Sequence, residues 1–71
     1  MAEIGAIYRH YKNHQLYEVV AMGKHSETLE DMVVYKALYE SAEFPMGQIW
    51  CRPLKMWDEL VDDKPRFEKI S

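Results

Sequence analysis

Two apolar runs joined by a polar link dominate the pattern of hydrophobic and polar positions along this chain. In the run VVYKALY, every second position from Val33 to Tyr39 is apolar or aromatic, which is the two-residue period of a β-strand. The run YEVVAMGK carries a matching row of Tyr17, Val19 and Ala21. The pattern therefore predicts a β-hairpin whose inward row faces a core, with a polar loop, SETLED, at its tip.

Shorter segments on both sides of the hairpin predict three further strands. AIYRHYK alternates in the same way and leads through the short polar turn KNHQ, where Asn13 can adopt a positive φ, into the hairpin. The segment ESAEFPMG contains Pro45 and predicts a loop, QIWCR predicts the next strand, and RFEKI the last. Gly23, near the end of the first hairpin strand, indicates a β-bulge or a close approach of another backbone segment.

A change of period after the fourth strand predicts a helix. Between Pro53 and Asp62 the apolar residues fall at i, i+3, i+6 and i+7, as on one face of a helix, at Leu54, Trp57, Leu60 and Val61. The fold class expected is mainly β, a small five-stranded, partly open barrel with one short helix near residues 53–62. Its length of 71 residues predicts a single domain over residues 1–71.

Composition limits the cellular compartment and the classes of partner that the sequence predicts. One cysteine excludes an internal disulfide and fits a reducing compartment, so the sequence predicts a cytoplasmic protein. No stretch approaches the eighteen apolar residues of a membrane span, so no membrane partner is expected. The net charge of −3 makes nucleic acid an unfavoured partner. Because so small a core is only marginally stable, a homodimer is one oligomeric state that the sequence allows.

The chain lacks the usual signatures of catalysis. His10 and His14 are four residues apart but span a predicted strand and turn, so no metal site is expected. Cys51 in an apolar strand is better read as a packing residue than as a nucleophile. Three scattered glycines offer no phosphate-binding loop. No catalytic residue, metal or other cofactor is therefore predicted.

Aromatic rings interleaved with cations give the best functional signal. Tyrosines and Trp50 lie close in sequence to Arg9, Lys12, Lys36 and Arg52. Such groups can stack on flat ligands or on peptide side chains. The same rings also suit the core of a small barrel, where large side chains supply much buried area per residue.

Five ordered motifs, YRHYK, HSET, VVYKALY, WCRPLKMW and PRF, resemble the bacterial family called domain of unknown function 1653, from Gly5 to Ile70. The resemblance implies a small SH3-like barrel and brings no established activity, substrate or cofactor. Asn13, Cys51 and Trp57 depart from residues common in the family. Candidate ligand-binding residues carried over from the motifs are Arg9, His10, His25, Ser26, Glu27, Thr28, Tyr35 and Arg52.

The leading hypothesis is a non-enzymatic binding module that contacts a peptide, a protein or a small anionic ligand through a polar-aromatic surface. One alternative is a small enzyme or accessory domain in which His10 or His25 acts as acid–base and Arg52 holds an anion. A second alternative is weak contact of the basic N-terminal face with RNA or DNA. The hairpin tip, His25 to Thr28, is the stretch that turn chemistry explains least.

Overall fold

The structure, a computed structural model, describes residues 2–71, so that Met1 lies outside the described residues. Within this range, seven strands and one helix follow one another. They are β1 (Ile7–His10), β2 (Leu16–Lys24), β3 (Asp31–Ala37), β4 (Ile49–Pro53), α1 (Leu54–Trp57), β5 (Leu60–Val61), β6 (Lys64–Pro65) and β7 (Phe67–Lys69). The predicted mainly β fold with one short helix is confirmed.

The main sheet has five antiparallel strands in the order β4-β3-β2-β1-β7. β5 and β6 form a separate two-stranded hairpin. In the part of the chain that the structure describes, β4 and β7 do not pair with each other, so the barrel is not closed. The partly open barrel and all five predicted strands are thus confirmed, and the β5–β6 hairpin is an addition that the sequence did not predict.

Aromatic rings fill one side of this curved sheet. Val19 and Val33 are fully buried at its centre, where adjacent strands bring their branched side chains together. The rings of Trp57 and Phe67 stack with centroids 3.8 Å apart, and Tyr8 meets Trp57 edge-on at 5.2 Å. Large rings compensate for the small number of core positions that a chain of this length can offer.

A β-bulge lies earlier in β2 than predicted. The register shifts between Val19, which opposes Tyr35, and Ala21, which opposes Val34, so Val20 is the extra residue. Because side chains alternate along a strand, one inserted residue turns those that follow to the other face. Ala21 is consequently only half-buried, and its predicted place in the inward row is wrong.

Gly23 marks neither the bulge nor the close backbone approach that the sequence indicated, since a Cβ added there would meet no atom within 4 Å. Gly23 opposes Met32 in regular register, after the shift at Val20 has already occurred. Its φ is not among the positive values of the chain. A glycine at this position therefore lies in an ordinary part of the ladder.

The helix is shorter than the sequence pattern predicted. α1 ends at Trp57, and the predicted helical residue Leu60 belongs instead to β5, with 62% of its surface exposed. Asp62 and Asp63 both have positive φ, 52° and 66°, and join β5 to β6 as a two-residue hairpin turn. Aspartate tolerates this left-handed conformation because its short side chain can bond to nearby backbone, which explains why the helical period was misleading.

Candidate functional site

A shallow cleft of about 230 Å³ opens where the core side of the sheet reaches solvent. Strands β1, β2, β3, β4 and β7 and the turn after β1 all contribute to it. We call it the aromatic cleft, and it is lined by His10, Asn13, Tyr17, Tyr35, Trp50, Arg52 and Phe67.

Strand alternation and register assemble this cleft from distant parts of the sequence. On β4, Trp50 and Arg52 are two residues apart and therefore share a face. Trp50 opposes Tyr35 on β3. At the opposite end of the strand order, His10 of β1 opposes Phe67 of the edge strand β7. The cleft thus depends on long-range pairing across the sheet.

Arg52 is the cation of the aromatic cleft. Its Nε donates a hydrogen bond to the Tyr35 hydroxyl at 3.3 Å, and its guanidinium carbon lies 5.5 Å from the centroid of the Phe67 ring. Among residues 2–71 no carboxylate lies within 4.0 Å of Arg52, whereas Arg9 pairs with Glu68, and Arg66 with Glu59, at 2.7 Å each. The Arg52 guanidinium is therefore oriented by neutral groups and keeps its charge uncompensated at short range.

His10 adds a second polar group. Its ring meets Phe67 edge-on with centroids 5.0 Å apart, and its Nδ1 accepts a hydrogen bond from the backbone amide of Lys12 at 3.1 Å. Burial, followed by the charges of Arg52, Arg66 and Lys12, lowers the pKa of His10 below its usual 6.5. The ring is thus held neutral at pH 7, and with Nδ1 accepting, its hydrogen is assigned to Nε2.

Hydroxyl and amide groups form a hydrogen-bonded network that includes two residues of the cleft, Asn13 and Tyr17. The Tyr17 and Tyr39 hydroxyls are 2.6 Å apart, and Asn13 Nδ2 donates to the Tyr17 hydroxyl at 3.3 Å. Burial, and then the bond to Tyr17, raises the pKa of Tyr39 to about 12. This network fixes the Tyr17 ring, which packs edge-on against Tyr35 at 5.5 Å.

The turn that carries Asn13 differs in detail from the prediction. Asn13 does not adopt a positive φ; His14 does, with φ of 60°. Asn13 instead uses its side chain, because Oδ1 accepts a hydrogen bond from the Gln15 amide at 2.8 Å. Its amide nitrogen is thereby directed to Tyr17.

The candidate residues taken from the sequence lie in three separate places. His10, Tyr35 and Arg52 share the aromatic cleft. Arg9 points to the opposite face, into a groove of about 260 Å³ where it pairs with Glu68. The third group is the hairpin tip, which contains His25, Ser26, Glu27 and Thr28.

At the hairpin tip, the side chains bond to the loop itself. His25 Nδ1 accepts hydrogen bonds from the amides of Glu27 and Thr28 at 3.2 and 3.3 Å, and Thr28 Oγ1 accepts one from Glu30 at 3.3 Å. The Leu29 amide donates to the His25 carbonyl at 2.8 Å, with Leu29 at a φ of 62°. Turn chemistry therefore accounts for His25 and Thr28 better than the sequence suggested.

In the part of the chain that the structure describes, the other reactive groups do not assemble into a site. Cys51 is exposed on β4, turned to the face opposite Trp50 and Arg52. Across the described residues 2–71, no three His, Cys, Asp or Glu side chains are grouped so that they could hold a metal ion. The one helix within residues 2–71, α1, has four residues and is far too short to cross a membrane.

Asn13 and Phe67 line the cleft but were not predicted as site residues from the sequence. Asn13 was read as a turn residue, and Phe67 as part of a terminal strand. Phe67 reaches His10 only through the β1–β7 pairing, so no local pattern could have indicated it. The RFEKI alternation does place Phe67 on one face and was the one usable signal.

Comparison with known proteins gives the chain relatives but no activity. The model of a family described as "Protein of unknown function (DUF1653)" matches residues 6–69. A crystal structure of a DUF1653 protein from Bordetella bronchiseptica is similar, with 34% sequence identity and a TM-score of 0.80. That match covers 97% of this chain and 88% of the Bordetella chain. No curated protein matches.

Proposed function

This chain belongs to the DUF1653 family, whose function is unknown, and we propose that it is a non-enzymatic binding module whose aromatic cleft takes up a carboxylate group. The carboxylate belongs to a small anionic ligand, a peptide or a protein. The SH3-like classification and a cytoplasmic, bacterial setting are parts of the same proposal. They are supported by the sequence motifs and by the single cysteine.

The observation that carries this proposal is the state of Arg52. An arginine guanidinium matches the planar carboxylate with two parallel N–H donors. Within residues 2–71, Arg52 donates a hydrogen bond only through Nε, to Tyr35, and meets no carboxylate. Because the guanidinium is already held in place, binding a ligand carries a smaller entropic cost.

The electrostatic surroundings favour an anion despite the negative net charge. After burial, the positive charges of Arg52, Arg66 and Lys12 lower the pKa of His10, and the same three charges would attract an anion. Aromatic rings line the cleft beside the half-buried Arg52, and a charge interaction is stronger where the dielectric is lower. A carboxylate entering the cleft would meet this positive potential together with the Arg52 donors.

The size of the cleft limits the group that enters it. Ligand pockets for drug-sized molecules usually occupy roughly 300 to 1,000 Å³. The aromatic cleft, at about 230 Å³, is smaller and open on one side. It suits one carboxylate with a short apolar or flat attachment, such as benzoate or an acidic side chain.

Benzoate titration followed by amide chemical shifts in NMR tests the proposal. We expect benzoate to shift the signals of Trp50, Arg52 and Phe67, whereas benzamide, which has no charge, should bind more weakly. Arg52→Gln should weaken benzoate binding at least about tenfold, since hydrogen bonds to charged groups contribute roughly 1.5 to 3 kcal/mol.

Arg9→Gln is the matched control. It removes the same charge from the chain, but Arg9 lies in the groove on the opposite face and pairs with Glu68. Benzoate affinity should therefore stay within about twofold of wild type, because distant surface charges are largely screened by salt. Benzoate binding that Arg52→Gln leaves intact, or no shift in the cleft at all, would contradict the proposal.

One observation favours the alternative of an enzyme or accessory domain. His10 and Arg52, an acid–base candidate and an anion clamp, share the aromatic cleft. His25 belongs to the hairpin tip and is not part of this arrangement. A His10→Gln variant that retains benzoate binding but loses turnover of a carboxylate-bearing substrate would support the enzyme over the binding module.

A further inference from the structure

Strand β4 forms one edge of the main sheet beside the aromatic cleft. It pairs with β3 on one side only, and within residues 2–71 no strand lies on its other side. Ile49 is 49% exposed, and Cys51 is exposed as well. An uncovered edge presents unpaired backbone donors and acceptors to which another extended segment can bind.

The direction of the free groups follows from the ladder. The Ala37 amide donates to the Gln48 carbonyl at 2.9 Å. In an antiparallel pair hydrogen-bonded residues alternate, so Trp50 and Arg52 direct their backbone groups to β3, while Ile49 and Cys51 direct theirs to the free edge. The Ile49 carbonyl accepts a hydrogen bond from the Gln48 side chain at 3.2 Å. The Ile49 amide and the Cys51 amide and carbonyl therefore remain for pairing with an added strand.

Side chains of the same strand provide recognition on the cleft side. Trp50 and Arg52 share the cleft face, and the half-exposed Phe44 ring packs edge-on against Trp50 at 4.9 Å. A strand added beside β4 would form close, non-hydrogen-bonded pairs with Trp50 and Arg52, in which the side chains lie nearest each other. An acidic residue suits Arg52 by charge, and an apolar residue suits Trp50 and Phe44.

We propose that the free edge of β4 binds an extended peptide segment of a partner protein as an added antiparallel strand, with an acidic side chain on Arg52. In this orientation the peptide reads acidic-x-apolar: the acidic residue opposes Arg52, x opposes Cys51, and the apolar residue opposes Trp50. Antiparallel pairs outnumber parallel pairs among known sheets. The proposal rests on the function proposed above, since it identifies the bearer of the carboxylate.

The test uses the whole protein, NMR titration and blocked seven-residue peptides. One peptide is Ser-Thr-Glu-Val-Leu-Thr-Ser, and a pool randomises every position except the glutamate and the leucine. N-methylation of the valine removes the donor that faces the Cys51 carbonyl. N-methylation of the leucine, the matched control, removes a donor that faces away from β4.

Binding should shift the amides of Ile49 and Cys51 together with the aromatic cleft. N-methylvaline should weaken binding about fivefold, and N-methylleucine should change it little, since one lost neutral hydrogen bond accounts for about that factor. Replacing the glutamate by glutamine, or Arg52 by glutamine, should weaken binding at least about tenfold, because hydrogen bonds to charged groups are stronger.

The possible failures are distinguishable. If benzoate binds but no peptide does, or if both N-methylated peptides bind equally well, the added strand is overturned and the carboxylate site stands. If neither benzoate nor peptide shifts the cleft, both proposals fail. Edge amides that shift with protein concentration, with a doubled mass in sedimentation, would assign the edge to a second copy of this chain and overturn the peptide.

Discussion

Replacement of Trp57 tests the view that α1 serves mainly to place one ring in the core. Trp57 is 3% exposed, stacks on Phe67, and meets Tyr8 and Tyr35 edge-on. Truncating such a ring to alanine costs roughly 3 to 5 kcal/mol. Seventy-one residues at the usual stability per residue give a total of about 4 to 11 kcal/mol, so Trp57→Ala should remove much of it.

Leu60→Ala is the control that separates the observed structure from a helix continuing to Asp62. On such a helix Leu60 would share the buried stripe with Trp57. In the structure Leu60 is 62% exposed, so its truncation should cost at most about 1 kcal/mol.

Urea unfolding followed by circular dichroism gives both values, and Trp57→Phe, which keeps one ring against Phe67, provides a milder variant that stays folded. The cost of Trp57→Phe should be smaller than that of Trp57→Ala but larger than that of Leu60→Ala. Equal costs for Trp57→Ala and Leu60→Ala would refute the short helix and its role.

Three further outcomes are expected. His25→Ala should lower the free energy of unfolding by about 1 kcal/mol, whereas His25→Asn, which can still accept loop amides, should cost less; equal losses in urea unfolding would contradict the capping role. The pKa of His10 is lower in the folded state than its usual 6.5, so the unfolded chain binds more protons and the free energy of unfolding should fall as the pH drops below about 7. His10→Gln should make the free energy of unfolding depend less on pH in that range. An unchanged pH dependence in urea unfolding would contradict the lowered pKa. In an absorbance titration one tyrosine should ionise near pH 12 and its signal should vanish in Tyr39→Phe, or the Tyr17–Tyr39 bond is not as described.

The strands were predictable from the sequence because each depends on a local pattern. Alternation from Val33 to Ala37 predicts a buried row, and the structure buries Val33, Tyr35 and Ala37. The bulge at Val20 was not predictable, because its neighbours Val19 and Ala21 are both compatible with a regular strand and only the pairing with β3 fixes the register.

The predicted helix was longer than the observed α1 for a related reason. Leu60 and Val61 continue the helical period, but the left-handed conformations of Asp62 and Asp63 favour a hairpin turn, and that turn signal was overlooked. Family motifs predicted a shared surface, yet a motif records which residues recur and not what each one contacts. In this chain His25 accepts hydrogen bonds from its own loop amides, whereas His10 lines the aromatic cleft.

The position of β1 between β2 and β7 has a consequence for the order of folding. The β2–β3 hairpin joins residues close in sequence, so it can form early, whereas Arg9 and Glu68 are 59 residues apart. Closing so long a loop carries an entropic cost before any contact is gained, and such pairings slow folding. Since Phe67 arrives with β7, the aromatic cleft should be completed last, and a chain still being synthesised would expose Tyr17 and Tyr35 until its final strand is available.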